Sequence, residues 1–265
     1  MNAAEATPPP ALAVASSVAP LVDPVFISDL HLTSERPRTL ERFLRFLRED
    51  APLHPELVIL GDLFEFWIGD DAGAAAAPVI AALASASRRG QRVLVMHGNR
   101  DLLLGSDFAR TAGCTLLADP ISLEVAGTPT LLSHGDAWCT RDVAYQQFRT
   151  MVRAPAFQRD FLAKPVAERI QVARSARMQS ETEKAMKAAD IMDVTTEVVS
   201  AAMVQAGVRR VIHGHTHRPG THVHEVNGAL AERWVLPDWD SDAAEPRGGF
   251  LDFDRGRPRL VFFDD

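Results

Sequence analysis

The chain has 265 residues, of which 28 are Lys or Arg and 35 are Asp or Glu, for a formal net charge of −7. That length suits one large α/β domain with an insert and can bury a substantial core. The acidic balance excludes a general nucleic-acid binder. The two cysteines, Cys114 and Cys139, do not suggest a disulfide framework, so a reducing cytosol is the default expectation.

The stretch to Pro24 is rich in Ala and Pro and has no Lys or Arg. It lacks the basic start of a secretory signal and reads as a disordered tail over residues 1–24. No apolar run approaches the roughly 18 residues needed to span a bilayer. The protein is expected to be soluble or, at most, attached to a membrane surface.

From Val25 onward the pattern becomes regular. Val25-Phe26-Ile27-Ser28 is a short apolar strand that runs into Asp29-Leu30-His31. Residues Pro37 to Asp50 carry Leu40, Phe43, Leu44 and Leu47 at helical spacing. Leu57-Val58-Ile59-Leu60 is aliphatic throughout, as a strand buried on both faces is, and it delivers Gly61-Asp62 to its carboxyl end. Open α/β sheets place their binding crevices at such ends. An Ala-rich helix is expected from about Ala74 to Arg89. Three more strands follow: Arg92 to His97 ending in Gly98-Asn99-Arg100-Asp101, Thr130 to Ser133 ending in His134-Gly135-Asp136, and Val208 to His213 ending in Gly214-His215-Thr216-His217. The stretch from His222 to Phe263 alternates apolar and polar residues with Gly and Pro breaks, as antiparallel strands do.

Every strand end therefore carries Asp, Asn or His. Asp29, His31, Asp62, Asn99, His134, His215 and His217 form a donor set of imidazole, carboxylate and amide oxygen, which suits borderline divalent ions such as Mn, Fe, Co or Zn. The lack of thiolates disfavours a structural zinc site. Seven donors exceed what one ion with an open position takes. They suit two ions about 3.5–4 Å apart that share a carboxylate, an arrangement common in phosphatases.

In order, Asp29-x-His31, Gly61-Asp62, Gly98-Asn99-Arg100-Asp101, His134 and Gly214-His215-x-His217 resemble the motifs of the calcineurin-like metallophosphoesterases, over Val25 to Pro219. The resemblance implies an αββα sandwich, two central sheets flanked by helices, over residues 25–265. It implies two divalent ions, most often Mn²⁺. One would be held by Asp29, His31, Asp62 and His217, and the other by Asp62, Asn99, His134 and His215, with water between them as nucleophile. The catalytic residues would be Asp62, Asn99, Arg100 and His134.

The sequence departs from that family at one position. Most members have His after the Asn of the third motif, to protonate an alcohol leaving group; this chain has Arg100. Arginine stays charged and is no general acid. A phosphate monoester, with a second pKa near 6, departs as an anion unaided, and Arg100 can hold it with its forked donors. Cleavage of a diphosphate is thus favoured over a simple phosphomonoester. Together with the stretch from Gly61 to Asp71 and Gly214-His215-Thr216-His217-Arg218-Pro219, the likeness is to members that hydrolyse UDP-2,3-diacylglucosamine to UMP and 2,3-diacylglucosamine 1-phosphate in lipid A biosynthesis. The implied setting is the cytoplasmic face of the inner membrane, without nucleic acid or an obligate protein partner. A relative acting on a soluble nucleotide or phosphodiester, and a non-catalytic scaffold, are the alternative readings.

The segment 141–206 is long, almost free of Gly and helical in composition, and is expected to insert as a helical cap. Between Arg141 and Lys187 ten Lys/Arg stand against five Asp/Glu. Ser180, Lys184 and Lys187 share a helix face. The resemblance implies substrate contacts at Asn99, Arg100, Asp142, Ser180, Lys184, Lys187 and His215. Phe148, Met151, Val152, Phe157, Phe161, Leu162 and Ile170 could line an acyl cleft, and a basic, apolar cap could also rest on an anionic membrane. Asp101 and Asp136 are expected to orient ligand histidines. His213, His97, His54, His222 and His224 read as core, strand or surface residues, Trp67 as core, and Glu65, Asp70 and Asp71 as supporting or solvated carboxylates.

Overall fold

The computed structural model describes residues 13–14, 18–186, 191 and 193–263; the side chains of residues 13–14 and 179–186 lie outside it. Among the described residues twelve strands form two six-stranded sheets. The first sheet contains β2 (Pro24–Ile27), β3 (Glu56–Leu60), β4 (Arg92–Met96), β5 (Cys114–Leu117), β11 (Gly249–Asp254) and β12 (Arg257–Phe262), in the order β12-β11-β2-β3-β4-β5. Strands β2 to β5 run parallel, and the β11–β12 hairpin adds to β2 antiparallel. The second sheet contains β1 (Ala13–Val14), β6 (Ile121–Val125), β7 (Thr128–Ser133), β8 (Arg210–His213), β9 (Gly220–Val226) and β10 (Ala229–Val235), in the order β1-β6-β7-β8-β10-β9.

Why these strands are apolar throughout is plain from the layers. In the first sheet Val25, Ile27, Leu57, Ile59, Val93 and Val95 face helices, while Phe26, Val58, Leu60, Leu94 and Met96 face the second sheet. A strand covered on both faces has no polar side to alternate with. The helical cover is α1 (Pro37–Glu49), α2 (Ala77–Arg88) and α3 (Ser106–Ala112), which contribute Phe43, Phe46, Leu83, Ala86 and Phe108. On the far side α7 (Thr196–Ala206) packs Val199, Ala202 and Met203 against Leu131 and Val211 of the second sheet. The result is the αββα sandwich.

Three boundaries differ from the sequence expectation. The Ala-rich helix begins at Ala77, because Asp70–Ala76 winds as a 3-10 turn first. The tail assigned to residues 1–24 includes a buried Leu21, whose backbone pairs with Glu124 and Ala126, and the N–H groups of Val22 and Asp23 donate to Glu56. The segment 141–206 is divided: α4 (Val143–Arg153), α5 (Pro155–Leu162) and α6 (Val166–Met186) form the cap, whereas α7 is a layer of the sandwich. The stretch after His222 pairs antiparallel as expected, except that β10 also runs parallel to β8.

Candidate active site

The carboxyl ends of β2, β3, β4, β7 and β8 converge on one rim, where the backbone is unusual. Eight non-glycine residues among those described have positive φ: Asp29, His31, Asp62, His215, His217, Ala126, Asn227 and Arg255. The last three each precede a glycine in a two-residue hairpin turn, where this conformation is routine. The other five belong to the predicted donor set. Each such residue costs on the order of 1–3 kcal/mol, and strain of this kind concentrates where geometry is functional.

Close packing supports the turns. A Cβ on Gly98 would collide with the Asp62 carboxylate and backbone N, and one on Gly214 would collide with Asp29 and Ser28. Glycine is therefore what lets Asn99 approach Asp62, and His215 approach Asp29. Asp29 Oδ2 receives the Ser28 hydroxyl at 2.6 Å and the His215 N–H at 2.8 Å. Asp62 Oδ1 receives the Arg100 N–H at 2.8 Å.

What remains points inward. Asp62 Oδ2 lies 3.9 Å from His31 Nδ1 and 3.8 Å from His134 Nε2, so it stands between two histidines from opposite ends of the rim. His31 Nε2 and His217 Nε2 are 3.4 Å apart, and His217 Nε2 is 3.5 Å from Asp29 Oδ1. His134 Nε2 is 3.0 Å from Asn99 Oδ1. The ring of His215 lies 5.0 Å from that of His134. All seven predicted donors thus meet in one cluster. Two subsets, Asp29 with His31 and His217, and Asp29 with Asp62 and His134, each bring their donor atoms within 4.8 Å of one another.

These residues fit cations. His134 Nδ1 lies 2.9 Å from the Leu60 carbonyl, which fixes its proton there and turns the Nε2 lone pair toward Asn99 Oδ1. Two acceptors that close are stable only with a cation between them, a proton or a metal. Asp29 Oδ1 is buried and has the His217 ring at 3.5 Å beside it. Electrostatics agree. Burial lifts Asp62 to about 7 against the pull of His134. Burial opposes charge on His134, yet Asp62, Asp29 and Asp136 raise it to about 9. Burial also works to raise Asp29, but His217, His134 and His31 hold it below the carboxylate range. The cluster attracts positive charge, which a proton on His134 or a bound cation can supply.

Beside the rim lies a cavity of about 590 Å³ roofed by the cap. Asn99, Arg100, Asp142, His215 and Arg218 line its polar end, and Phe66, Phe148, Val152, Phe157, Phe161 and Val172 line its apolar part. Of the seven expected cleft residues, Phe148, Val152, Phe157 and Phe161 face the cavity. Met151, Leu162 and Ile170 do not. Met151 and Leu162 lie largely exposed on the outward phases of α4 and α5. Asp142 caps α4 by accepting the Tyr145 N–H at 3.1 Å. The side chains of Ser180 and Lys184, and the whole of Lys187, lie outside the described residues.

Several supporting residues differ from expectation. Asp101 orients no histidine; it accepts the backbone N–H groups of Leu63, Phe64 and Gly98 and so fixes the Asp62 turn to the Asn99 turn. Asp136 instead accepts Tyr145 Oη at 2.9 Å, Arg149 Nε at 2.8 Å and Arg153 Nη2 at 3.3 Å, all from α4. Asp70 is no solvated loop residue; it takes the N–H groups of Gly105 and Phe108 at the start of α3. His213 is core as expected, and burial with Arg233 lowers it to about 3. The carboxylate beside His217 Nδ1 is Asp238, at 3.4 Å. Asp238 lies 21 positions beyond that histidine, in a loop with no motif around it.

Residues 24–219 match a family described as calcineurin-like phosphoesterase. The chain belongs to the calcineurin-like phosphoesterases. Among curated relatives of this phosphoesterase is a UDP-2,3-diacylglucosamine hydrolase of Aromatoleum aromaticum, 49% identical over 220 residues and covering 83% of this chain and 90% of that one. Proteins with the same name from Pseudomonas paraeruginosa (50% over 217 residues, 82% and 90%) and Bordetella pertussis (47% over 232 residues, 86% and 90%) are equally similar.

Proposed function

We propose that this phosphoesterase hydrolyses the diphosphate of UDP-2,3-diacylglucosamine to UMP and 2,3-diacylglucosamine 1-phosphate. The observation that carries the reading is the junction of a cation-seeking cluster with an apolar groove, with Arg100 where they meet. A diphosphate needs the first and fatty acyl chains need the second, whereas a soluble nucleotide has no use for Phe148, Val152, Phe157 and Phe161. The relatives' shared name points the same way.

The residues that would hold two divalent ions are Asp29, His31, Asp62 and His217 at one position, and Asp62, Asn99, His134 and His215 at the other. Such ions, Mn²⁺ in this reading, supply a water of lowered pKa and neutralise phosphoryl charge. The chain's own part is to position. Asp238 and the Leu60 carbonyl hold the Nδ1 sides of His217 and His134, so each presents Nε2 to the centre. Arg100 holds the phosphoryl oxygens and stabilises their charge in transit. Because it cannot donate a proton as an acid, the departing group must leave as an anion, which a sugar phosphate does.

The cap also serves as the membrane contact in this reading. Val143, Phe148, Met151, Leu162, Val172 and Met178 stand exposed on α4 to α6, interspersed with exposed Arg141, Arg159, Lys164 and Arg174. Among the described residues no helix is long and apolar enough to cross a membrane; attachment would be to the anionic surface of the inner membrane from its cytoplasmic side.

The deciding experiment supplies manganese-loaded protein with UDP-2,3-diacylglucosamine, with unacylated UDP-glucosamine and with a chromogenic phosphodiester, and identifies products by mass spectrometry. UMP and the acylated sugar phosphate are expected from the first. Equal turnover of all three would refute a role for the groove in selecting substrate.

A further inference from the structure

Glu65 lies three residues beyond Asp62, only 4% exposed, on the loop that the cap covers. Its Oε1 receives Arg100 Nη1 at 3.0 Å and stands 3.1 Å from Arg177 Nε, while Oε2 is 3.7 Å from His31 Nδ1. The two guanidiniums come from different bodies, Arg100 from the rim after β4 and Arg177 from α6 of the cap. The loop under Glu65 is itself fixed. Glu65 N donates to Leu32 O at 3.2 Å, Trp67 N donates to Arg100 O at 3.0 Å, and Asp101 holds the N–H groups of Leu63 and Phe64. Arg169, eight residues before Arg177 on α6, ties the same loop to the cap through Ile68 O and Asp71. A free arginine side chain loses about 2 kcal/mol of rotamer entropy when it is held. Here Glu65 holds it before any substrate arrives.

We propose that Glu65 is a positioning residue for Arg100, and that Arg177 completes the arrangement when α6 is seated, so that the cap sets the guanidinium that meets the diphosphate. This rests on the proposed function, in which Arg100 holds the phosphoryl oxygens. Charge and position predict opposite signs. Glu35 also lies 3.9 Å from Arg177, on its outer side. Glu65 is thus the buried carboxylate that offsets the two guanidiniums, and neutralising it makes the groove mouth one unit more positive and more attractive to an anion. If position matters more, the same change slows turnover even though it leaves substrate binding unharmed.

The test is a double-variant cycle on the manganese-loaded enzyme with the acylated substrate, comparing Glu65→Gln, Arg100→Ala and both together, with metal content measured for each. Glu65→Gln is expected to lower kcat about 10- to 100-fold, the usual scale for a group that supports a catalytic one, with KM unchanged or lower and metal content intact. In the Arg100→Ala background it should change kcat less than about twofold, because the group it acts through is gone. Arg177→Met should reproduce part of the Glu65→Gln loss. Additive losses in the double variant would overturn the proposal, as would metal loss in step with kcat, which would assign Glu65 to His31. An unchanged kcat in Arg100→Ala alone would mark a different failure, that of the phosphate-holding role itself.

Discussion

The strand-end rim and the helical cap both bring charge to the same cleft, and they do so by opposite means. On the rim the backbone does the positioning: Asp29, His31, Asp62, His215 and His217 all take left-handed φ within four residues of a strand. In the cap, side chains do it. Arg149 and Arg153 reach Asp136, Arg169 reaches Asp71, and Arg177 reaches Glu65, so four of the cap's arginines are engaged by sandwich carboxylates. The excess of basic residues in the cap first suggests a face for the diphosphate. Much of it is instead the fastening of the cap. A rim built from backbone turns is rigid and specific, whereas a lid held by ion pairs can be loosened one contact at a time.

The largest expected effects come from the rim itself, where a carboxylate of the cluster and the arginine that meets the phosphate are separable. Asp62→Ala removes the carboxylate that faces both His31 and His134. Turnover should fall to near background, and bound metal should fall with it in the same preparation. Arg100→Ala should lower kcat by about 10²- to 10³-fold, the scale seen when a donor to transition-state charge is lost, with metal content unchanged. Equal metal loss in both variants would erase the distinction between a ligand and a phosphate holder.

What the sequence revealed follows the same division. Buried parallel strands are aliphatic on both faces, and the residues after them must turn sharply, so the runs before Asp29, Asp62, Asn99, His134 and His215 mark strands and site together. The parallel strands and the seven residues that cluster at their ends were legible for that reason, while the two-sheet sandwich followed from the family resemblance. The cap's ion pairs were not. Arg169 and Asp71 are 98 residues apart, and a carboxylate in a loop gives no sign of which distant arginine will reach it. Glu65 and Asp136 therefore read as a loop carboxylate and a histidine partner, while they are anchors for helices. Asp238, the partner of His217, was invisible for the same cause. The elements α3, β5 and β6 were missed: seven residues give α3 too little periodicity, and neither β5 nor β6 is a wholly buried aliphatic run.

The next effect is on stability and concerns the fastening of the cap to the rim. Burial would raise the Asp136 carboxyl, but Arg153, Arg149, His134 and His215 outweigh it and hold the group ionised well below the usual range. A folded-state pKa below the unfolded one contributes stability that is present above about pH 4 and lost as pH falls below it. Asp136→Asn should therefore cost about 2–3 kcal/mol at pH 7, somewhat under the range for breaking a fully buried pair, since both arginines keep some solvent contact. The gap to the parent protein should narrow below about pH 4. Urea unfolding at pH 7 and pH 3.5 measures both values, and a gap that does not depend on pH would remove the ion pairs as its cause.

The smallest effect belongs to the groove wall. Phe157 stacks on Phe161 with ring centroids 6.1 Å apart, and both face the cavity. Phe157→Ala removes apolar surface that an acyl chain would cover, worth about 1–2 kcal/mol of binding at roughly 25 cal/mol per Å², while the rim and Arg100 keep their contacts. KM for the acylated substrate should rise about 5- to 30-fold with kcat nearly unchanged, because the loss is felt equally by bound substrate and transition state. The unacylated nucleotide sugar never reaches that wall, so its kinetics should not move. Were kcat to fall instead, the ring would be setting the position of the cap over Glu65 and Arg100, and the separation between a rigid rim and a fastened lid would fail at that point.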